Sequence, residues 1–450
     1  MNIKEYTAIT SDSRTVTPGC LFIAVKGTKA DGNEFAAAAL EAGAAGVVST
    51  DRHGLAMMAD EFYGHPSGKL RLVGITGTNG KTTTVTLLYN LFRRMGHECG
   101  LLSTIANFVG SERVETTNTT SDPITTNRLL AQMVQKGCEY CFMEVSSIGV
   151  EQERIAGLEF AAGIFSNLTH DHLDYHGSFA EYLRCKKLFF DNLPKKAVAL
   201  TNADDRNGLV MVQNTRARTV TYSCRGAADH CARVMEQSFD GMLLKIDGTE
   251  VWSRLIGAHN AYNLLAIYST AVELGADPAE VLVALSALDS ARGRLEVMRG
   301  PRDLSVVIDY AHTPDALENV LKTLRAVAPS RNLVCLFGCG GDRDRTKRPE
   351  MAAIAGKYAD RIFITSDNSR TENTADIIAE IRSGLDAQGL AKAVCIEDRR
   401  EAIRTAVMLS PEGSTILLAG KGHETYQILG SRKLHFDERE IVDETFKNLI

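Results

Sequence analysis

The chain has 450 residues, 44% hydrophobic, 24% charged and 6% aromatic, a composition typical of a globular protein with several domains. Its net charge of −6 argues against a nucleic-acid-binding protein, and no segment approaches the ~18 uninterrupted apolar residues of a transmembrane helix. Because the N-terminus lacks an apolar signal region, we expect a cytoplasmic protein without nucleic-acid or membrane partners, with a monomer as the default state.

A first domain is predicted at residues 1–68. The apolar run at 20–25 indicates a strand, the alanine-rich segment at 34–42 a helix, and 46–48 a short second strand. A polar turn, Asp12-Ser-Arg14, precedes them and by itself is more typical of a structural turn than of a ligand site. The pattern predicts a small mixed α/β domain.

The second domain, residues 69–296, opens with the stretch around which the chain is organised. A buried strand at 70–75 leads into the turn Gly77-Thr-Asn-Gly80, and a helix follows from Thr82 to Met95. Gly96 is predicted to end that helix as a left-handed cap. Strand, glycine-rich turn and helix are the layout of a phosphate-binding loop.

In such a loop, backbone N–H groups and the helix N-terminus face an anion, Lys81 reaches the outer phosphates and the Thr82 hydroxyl binds Mg²⁺. The first glycine of the usual motif is replaced by Ile75, so the alternative is an ordinary turn before a surface helix. The flanking strand and helix favour an ATP or GTP site.

The rest of this domain alternates strands with helices. Strands are predicted at 140–145, 161–167 and 197–201, and helices at 123–136 and 178–192. This alternation is typical of a parallel sheet with helices on both faces, and ligands bind beyond the carboxyl ends of such strands.

Several polar side chains follow these strand ends. A buried carboxylate such as Glu144 needs a partner, which in a nucleotide enzyme would be Mg²⁺; the alternatives are a helix cap or an arginine pair. The spacing of His170, His172 and His176 suits a transition metal or a solvated loop, and periodicity does not choose between them. Cys138 and Cys141 have C-x-x-C spacing without a second pair, so core positions are expected for both.

A third domain is predicted at residues 297–450. Strands at 304–309, 333–337, 361–365 and 415–419 each end in a polar or glycine-rich loop. The pattern predicts a Rossmann-like sheet with functional loops along one edge.

The polar and glycine-rich motifs along the chain are Asp12-Ser-Arg14, Thr76-Gly-Thr-Asn-Gly-Lys-Thr-Thr83, Asn118-Thr-Thr120, Glu144-Val-Ser-Ser147, Asp171-His-Leu-Asp-Tyr-His176, Gly257-x-His-Asn-x-x-Asn263, Gly293-Arg-Leu-Glu296, Asp309-Tyr-Ala-His-Thr-Pro314, Gly338-Cys-Gly-Gly-Asp-Arg343 and Gly420-Lys-Gly-His-Glu424. In this order and spacing they closely resemble those of the Mur ligase family, of the MurE type. The resemblance spans nearly the whole chain and implies three domains: a small mixed α/β domain that binds UDP, a central phosphate-loop ATPase-like sheet, and a Rossmann-like domain that binds the amino acid.

The resemblance implies an ATP-dependent ligase that joins an amino acid to UDP-N-acetylmuramoyl-L-alanyl-D-glutamate through an acyl phosphate, in peptidoglycan synthesis. Its catalytic residues would be Lys81, Glu144, His172 and Lys186, and Lys186 would be carbamylated. Mg²⁺ would be held by Thr82, Glu144, His172 and the Lys186 carbamate. ATP would contact Gly77, Thr78, Asn79, Gly80, Lys81, Thr82, Thr83, His259, Asn260, Asn263, Arg294, Asp309 and His312. These ATP contacts come from two domains, so domain closure is expected before chemistry.

The resemblance also assigns the two other substrates. The UDP-sugar peptide would contact Ser13, Thr119, Thr120, Ser146, Gln152 and Arg154. The amino acid would contact Arg343, Asp367, Asn368, Arg370, Gly420 and Glu424. In members that add diaminopimelate the specificity loop reads Asp-Asn-Pro-Arg, and here it reads Asp367-Asn-Ser-Arg370, so meso-diaminopimelate is expected rather than L-lysine.

Three departures from the family pattern leave other acceptors open: Ser369, Ile148 where His is common, and Asn33 where Asp-Gly-His is usual. The rival hypotheses are a ligase that adds lysine, a folylpolyglutamate-synthase-like or divergent-acceptor ligase, and a non-catalytic nucleotide-binding regulator.

Overall fold

The structure, a computed structural model, describes residues 2–27, 31–116, 118–169 and 173–449. The chain packs as two units. The first comprises residues 1–234, 244–251 and 259–288, and the second comprises residues 235–243, 252–258 and 289–450.

The first unit begins with a parallel sheet of three strands, in the order β1-β2-β3. The helix predicted at 34–42 starts at Ala36, because Gly32–Phe35 forms a 3-10 turn whose Asp31 side chain accepts a hydrogen bond from the Asn33 amide. The elements are β1 Ile9–Thr10, β2 Leu21–Val25, α1 Ala36–Glu41, β3 Gly46–Thr50 and α2 Arg52–Phe62, with further 3-10 turns at Ile3–Glu5, Ser13–Thr15 and Pro66–Lys69.

The large sheet of this unit has the order β14-β13-β12-β11-β10-β9-β4-β8-β5-β6-β7. Residues of β12, β13 and β14 are divided between the two units. The elements are β4 Arg71–Thr76, α3 Lys81–Arg94, β5 Cys99–Leu102, β6 Asn107–Val109, β7 Glu112–Val114, α4 Pro123–Gln135, β8 Tyr140–Glu144, α5 Ser147–Glu151, β9 Phe160–Phe165, α6 Leu173–His176, α7 Phe179–Asp191, β10 Val198–Asn202, α8 Gly208–Met211, β11 Arg218–Ser223, β12 His230–Ser238, β13 Gly241–Ile246, β14 Thr249–Ser253, α9 Ala258–Glu273 and α10 Pro278–Ser286.

The second unit contains a sheet in the order β15-β16-β20-β17-β18-β19, parallel except for the antiparallel edge strand β15, and a separate hairpin of β21 and β22. Its elements are β15 Glu296–Arg299, β16 Ser305–Asp309, α11 Pro314–Val327, β17 Leu333–Phe337, α12 Lys347–Tyr358, β18 Arg361–Ile364, α13 Thr374–Arg382, α14 Ala387–Lys392, β19 Ala393–Cys395, α15 Arg399–Leu409, β20 Thr415–Ala419, β21 Tyr426–Leu429, β22 Arg432–His435 and α16 Glu438–Lys447.

Side chains that alternate along the strands of the second unit supply two separate cores. Val307 packs in a cluster with α11, α12 and α13, whereas its neighbours Val306 and Ile308 pack with α15 and α16. Successive residues of a strand point to opposite faces, so helices cover this parallel sheet on both sides. The loops at the strand ends are therefore left uncovered by these helices, and ligands of such sheets bind there.

Two smaller expectations also concern the fold. Cys138 and Cys141 are both buried, as predicted for core positions. Gly96 adopts φ +89° two residues after α3 ends at Arg94, confirming the predicted left-handed cap. Within the described ranges, no helix combines the length and hydropathy needed to span a bilayer.

Candidate active site

The loop between β4 and α3 requires glycine at two positions. At Gly77 (φ +155°), a Cβ atom would lie 1.9 Å from Ser166 Oγ. At Gly80 (φ +87°), it would lie 2.6 Å from Asn263 Oδ1. Ile75, at the first motif position, is still part of β4 and pairs with Glu144 of β8, so that position needs no glycine.

Residues that follow β9 hold this loop in place. The carbonyl oxygen of Asn167 accepts a hydrogen bond from Thr78 N at 2.8 Å, and its Oδ1 accepts one from Asn79 N at 2.9 Å. Ser166 Oγ donates to the carbonyl oxygen of Asn79 at 2.7 Å. These two loop amides are thus used within the protein. The amides of the first turn of α3 have no preceding helical turn to bond to, so they are the ones suited to an anion.

Lys81 and Lys186 meet at the loop backbone. Lys81 Nζ donates to the carbonyl oxygens of Gly77 and Thr78, both at 2.8 Å, and Lys186 Nζ donates to the Gly77 oxygen at 2.8 Å. Lys186 is 1% exposed on α7, and its ammonium lies 4.7 Å from the centroid of the Tyr182 ring. The structure therefore places both predicted lysines at one point.

Glu144 lies at the carboxyl end of β8 and is 1% exposed. Its Oε2 accepts a hydrogen bond from Thr82 Oγ1 at 3.0 Å, and its Oε1 accepts one from Thr104 N at 2.8 Å. A hydroxyl and a carboxylate oxygen are hard donors that fit Mg²⁺, which usually keeps waters and phosphate oxygens as its other ligands. His172, the third predicted metal ligand, lies outside the described residues. Within the described ranges, no group of three or more His, Cys, Asp and Glu side chains is arranged to hold a metal.

The residues predicted to bind the UDP-sugar peptide lie close to Glu144. Thr120 Oγ1 donates to the carbonyl oxygen of Glu144 at 2.9 Å and accepts from Ser146 N at 3.0 Å. Arg154 Nη1 donates to the carbonyl oxygen of Thr120 at 2.7 Å, and Arg154 Nη2 donates to Gln152 Oε1 at 2.7 Å. These four residues form one connected network.

Two participants were missed by the sequence analysis. Thr104 Oγ1 donates to Thr119 Oγ1 at 3.0 Å, which connects Thr119 to Glu144 through the Thr104 amide. The Tyr175 hydroxyl accepts from Gln152 Nε2 at 2.8 Å and donates to Glu151 Oε2 at 2.6 Å. A sequence feature could have identified each residue, because Thr104 comes just after the apolar strand β5 and Tyr175 lies in the histidine-rich motif.

The predicted contact Ser13 begins a 3-10 turn in the N-terminal part of the first unit. The turn is capped by Asp12, whose Oδ1 accepts a hydrogen bond from Arg14 N at 3.0 Å and whose carboxylate pairs with the Arg14 guanidinium. The departure Asn33 is exposed and donates through Nδ2 to Asp31 Oδ1 at 2.7 Å, and Ile148 is half-buried on α5. Among the described residues, no hydrogen bond joins Ser13 to the network around Glu144.

The predicted nucleotide residues of the first unit continue along α9. Asn263 Nδ2 donates to Asn260 Oδ1 at 2.9 Å, and Asn263 Oδ1 accepts from Thr84 Oγ1 of α3 at 3.4 Å. The side chain of His259 is exposed at the start of α9. Asn260 and Asn263 thus lie against the phosphate-loop helix.

The predicted nucleotide residues of the second unit gather around Tyr310. The Arg294 guanidinium lies 4.7 Å from the centroid of the Tyr310 ring, and the rings of His312 and His423 pack against Tyr310 at 4.7 and 4.9 Å. Asp309 accepts hydrogen bonds from the Leu295 and Ala311 amides, and its burial raises the pKa of its carboxyl above the usual range. His423, also missed from sequence, is therefore part of this cluster.

The residues predicted to bind the amino acid lie on loops at the carboxyl ends of β17, β18 and β20. Arg370 has a left-handed backbone (φ +50°), and its Nη1 donates to the carbonyl oxygen of Gly341 at 2.8 Å. Among the described residues, its Nε and Nη2 have no hydrogen-bond partner, so one edge of the guanidinium fork is available. Arg343 is exposed, and Asn368 Nδ2 donates to Glu424 Oε2 at 2.9 Å. Gly420 lies against Asp367, since a Cβ there would be 2.9 Å from Asp367 Oδ2.

Three family models match the chain along its length. The model of the Mur ligase family catalytic domain matches residues 5–67, that of the Mur ligase middle domain residues 75–271, and that of the Mur ligase glutamate ligase domain residues 293–422. A protein of Parabacteroides distasonis named UDP-N-acetylmuramoyl-L-alanyl-D-glutamate--2,6-diaminopimelate ligase is 49% identical, with 98% of this chain and 95% of that protein covered.

Solved structures give a consistent result. One of a ligase with the same name is 32% identical and superposes with a TM-score of 0.72, covering 99% of this chain and 95% of that one. The folylpolyglutamate synthase of Mycobacterium tuberculosis complexed with ADP is 18% identical, with a TM-score of 0.66 over 82% of this chain and 91% of that one, which shows a shared fold. The predicted α/β architecture is confirmed, and the chain belongs to the Mur ligase family with its three-domain fold.

Proposed function

We propose that this protein is an ATP-dependent, ADP-forming ligase that adds meso-diaminopimelate to UDP-N-acetylmuramoyl-L-alanyl-D-glutamate in peptidoglycan synthesis. The observation that supports it best is the convergence of a phosphate loop, the Thr82–Glu144 pair and the Thr120–Arg154 network at one edge of the central sheet. The relative that is 49% identical has a name that describes this reaction.

In the proposed reaction, the terminal carboxylate of the UDP-sugar peptide attacks the γ-phosphorus of ATP. The bond from that phosphorus to the β–γ bridging oxygen breaks, which leaves an acyl phosphate and ADP. The neutral amine of the amino acid then attacks the acyl carbon, phosphate departs, and the nitrogen loses one proton as the amide forms. Lys81 and the first-turn amides of α3 would stabilise the phosphate charge, because positioning and charge neutralisation dominate phosphoryl transfer.

Bound Mg²⁺ would supply further positive charge beside the phosphates, held by Thr82 and Glu144 together with His172 and a carbamate on Lys186. Lys81 donates to two loop carbonyls, and an ammonium has three N–H groups, so Lys81 would reach a phosphate oxygen either through its third N–H group or by exchanging one of these bonds. The Thr120–Arg154 network would hold the UDP-sugar peptide beside Glu144, so that the reacting carboxylate is presented to ATP.

For the amino acid, the free edge of Arg370 suits a distal carboxylate, because a guanidinium binds a carboxylate through two parallel hydrogen bonds. This favours diaminopimelate over lysine, which has no distal carboxylate. The three predicted domains, 1–68 for UDP, 69–296 for ATP and 297–450 for the amino acid, belong to the same proposal. A monomer in the cytoplasm remains a prediction.

The test is phosphate release from ATP and Mg²⁺ with the UDP-sugar dipeptide, comparing meso-diaminopimelate with L-lysine. We expect release that requires both the dipeptide and diaminopimelate. Turnover with lysine alone would overturn the assigned amino acid. Turnover with a folate acceptor instead of the dipeptide would favour the folylpolyglutamate-synthase-like alternative, and ATP binding without any turnover would favour the regulator.

A further inference from the structure

The turn that follows β10 carries two polar side chains that the resemblance does not assign. Asn202 is the last residue of β10 and is buried, and Asp205 lies half-buried three residues later. Asn202 Nδ2 donates to the carbonyl oxygen of Ser166 at 2.8 Å, and Asp205 Oδ2 accepts a hydrogen bond from Leu168 N at 2.9 Å. The turn therefore holds the backbone of the loop after β9 at two points.

The same short part of the loop after β9 contacts the phosphate loop. Asn167 accepts hydrogen bonds from the amides of Thr78 and Asn79, and Ser166 Oγ donates to the carbonyl oxygen of Asn79. Because β10, β9 and β4 are parallel neighbours in the sheet, their carboxyl ends lie side by side at one edge. A continuous series of hydrogen bonds thus runs from the β10 turn to the phosphate loop.

Each oxygen of the Asp205 carboxylate has its own partner. Oδ1 accepts hydrogen bonds from Asn207 N at 2.8 Å and from Asn207 Nδ2 at 3.2 Å, within the turn itself. Oδ2 accepts the hydrogen bond from the Leu168 amide. A carboxylate can accept on both sides, whereas an amide side chain has one accepting side and one donating side. A carboxylate at this position therefore holds the turn and the neighbouring loop at once.

The adjacent acid, Asp204, makes its hydrogen bonds in another direction. Its carboxylate accepts from Ser223 Oγ at 2.7 Å, from the Tyr262 hydroxyl at 2.8 Å, and from the amides of Cys224 and Arg225 at 2.8 and 3.1 Å. Among the residues that the structure describes, none of the hydrogen bonds of this carboxylate reaches the loop after β9. Only one of the two adjacent acids is thus connected to the phosphate loop.

Support of the phosphate loop matters because phosphoryl transfer depends mainly on positioning and charge stabilisation. Thr78 and Asn79 directly precede Gly80 and Lys81, which would face the phosphates. Their amides keep their partner only while Asn167 stays in place. A displacement of Asn167 would therefore shift Gly80 and Lys81 relative to bound ATP.

We propose that Asp205, together with Asn202, is a positioning residue for phosphoryl transfer. The two side chains fix the loop after β9, and that loop fixes the amides of Thr78 and Asn79 before ATP binds. The inference rests on the proposed function and deepens it, because it concerns how that ligase holds ATP. Hydrogen bonds from supporting residues keep a site in its productive geometry, and their loss loosens the site without removing any group that contacts the ligand.

The variant that tests this is Asp205→Asn. Because Asn207 offers two donors, the single amide oxygen should stay with it, which leaves the Leu168 amide facing another donor. We expect the Kd of β,γ-imido-ATP with Mg²⁺, measured by calorimetry, to rise by about tenfold or more, because an unsatisfied buried donor has a cost of this order. In turnover, the KM for ATP should rise and kcat should fall, while the KM for the UDP-sugar dipeptide stays unchanged.

The matched control is Asp204→Asn, which makes the same chemical change in the same turn. It should lower Tm but leave the Kd of β,γ-imido-ATP unchanged, because the contacts of Asp204 do not reach the loop after β9. An equal loss of nucleotide affinity in both variants would show that each acts by loosening the turn, and would overturn the inference. Wild-type values of Kd and kcat in Asp205→Asn would overturn it as well.

The calorimetric comparison does not depend on the reaction. If the wild-type protein binds β,γ-imido-ATP but releases no phosphate from ATP with the UDP-sugar dipeptide and diaminopimelate, the proposed function fails. The Kd values of the two variants still test the role of Asp205 in that case.

A second variant covers the case in which Asp205→Asn does not fold. Asn202→Ala removes the hydrogen bond to the carbonyl oxygen of Ser166 and leaves the one to the Leu168 amide in place. We expect a rise in the Kd of β,γ-imido-ATP that accompanies the loss in Tm. A folded Asn202→Ala with wild-type affinity for the nucleotide would show that the turn contributes only to stability, and would overturn the inference.

Discussion

Lys81 and Lys186 donate hydrogen bonds to the same acceptor, the carbonyl oxygen of Gly77, each at 2.8 Å. Their ammonium nitrogens therefore lie within twice that distance of each other, and like charges this close repel in a buried site. Conversion of the Lys186 amine to a carbamate by CO₂ would replace one cation with an anion. The geometry thus gives a physical reason for the predicted modification.

The first prediction concerns Lys186. We expect intact-mass measurement under high CO₂ and ¹³C NMR with labelled CO₂ to detect one carbamate, and Lys186→Ala to lose about 100-fold or more in kcat, as when one group that stabilises charge in the transition state is removed. Lys187→Ala is the control, because Lys187 pairs with Asp191 on the same helix and should behave like the wild type. An unmodified Lys186 in an active protein would contradict the prediction.

The second prediction concerns Glu144. Glu144→Gln preserves shape and can still accept the Thr104 amide, so the fold and Tm should change little. Loss of the charge should raise the Mg²⁺ concentration needed for half-maximal activity and lower kcat by about 100-fold, since a hard cation binds a carboxylate far better than an amide. Glu139→Gln, exposed just before the same strand, provides the comparison. If Glu144→Gln shows the magnesium dependence of the wild type, Glu144 does not bind the metal.

The third prediction concerns Arg370. Arg370→Ala should raise the KM for diaminopimelate by about tenfold or more, because hydrogen bonds to charged groups contribute ~1.5–3 kcal/mol and each 1.4 kcal/mol is a factor of ten. The KM for ATP should not change. Steady-state kinetics with each substrate varied in turn measure both values, and Arg382→Ala, exposed on α13, is the control. A small change in the amino-acid KM would show that Arg370 does not bind this substrate.

The fourth prediction concerns the ionisation of His423. Burial, with Arg294, Arg292 and other cations nearby, lowers the pKa of His423 from 6.5 to about 3, so its imidazole should stay neutral down to mildly acidic pH. Below about pH 6.5, the His423 side chain takes up a proton in the unfolded chain but stays neutral in the folded chain. The contribution of neutral His423 to the free energy of unfolding is therefore fully present above about pH 6.5, and it is lost as the pH falls toward about 3.

Two measurements check this. The ¹⁵N NMR signals of His423, assigned by their absence in His423→Gln, should show no protonation at pH values near 5. Between about pH 7 and 5, the free energy of unfolding should fall by about 1–2 kcal/mol less in His423→Gln than in the wild type, provided the variant folds. A His423 signal that titrates near pH 6 would show that His423 is not buried in the cluster around Tyr310.

Secondary structure was predictable where strands are buried on both faces. The strands β4, β8, β16 and β20 are each built around a run of consecutive apolar residues, and each was predicted to within two residues of its observed bounds. The antiparallel strands β6, β7, β21 and β22 were not predicted, since each is short and contains no more than two consecutive apolar residues. The short buried strand β5 was not predicted either. Short strands depend on their partners more than on their own composition.

The sequence by itself determined the phosphate loop, because a glycine-rich turn between a buried strand and an amphipathic helix is a local pattern. It also placed Glu144 and the residues after β9 at strand ends. Only the tertiary structure decided which distant groups meet there. Asn167 lies 88 residues from Asn79, and Lys186 lies 109 residues from the Gly77 oxygen that it contacts. These contacts depend on the strand order, with β4 between β8 and β9, and on the packing of α7 against the sheet. Neither can be predicted from local periodicity.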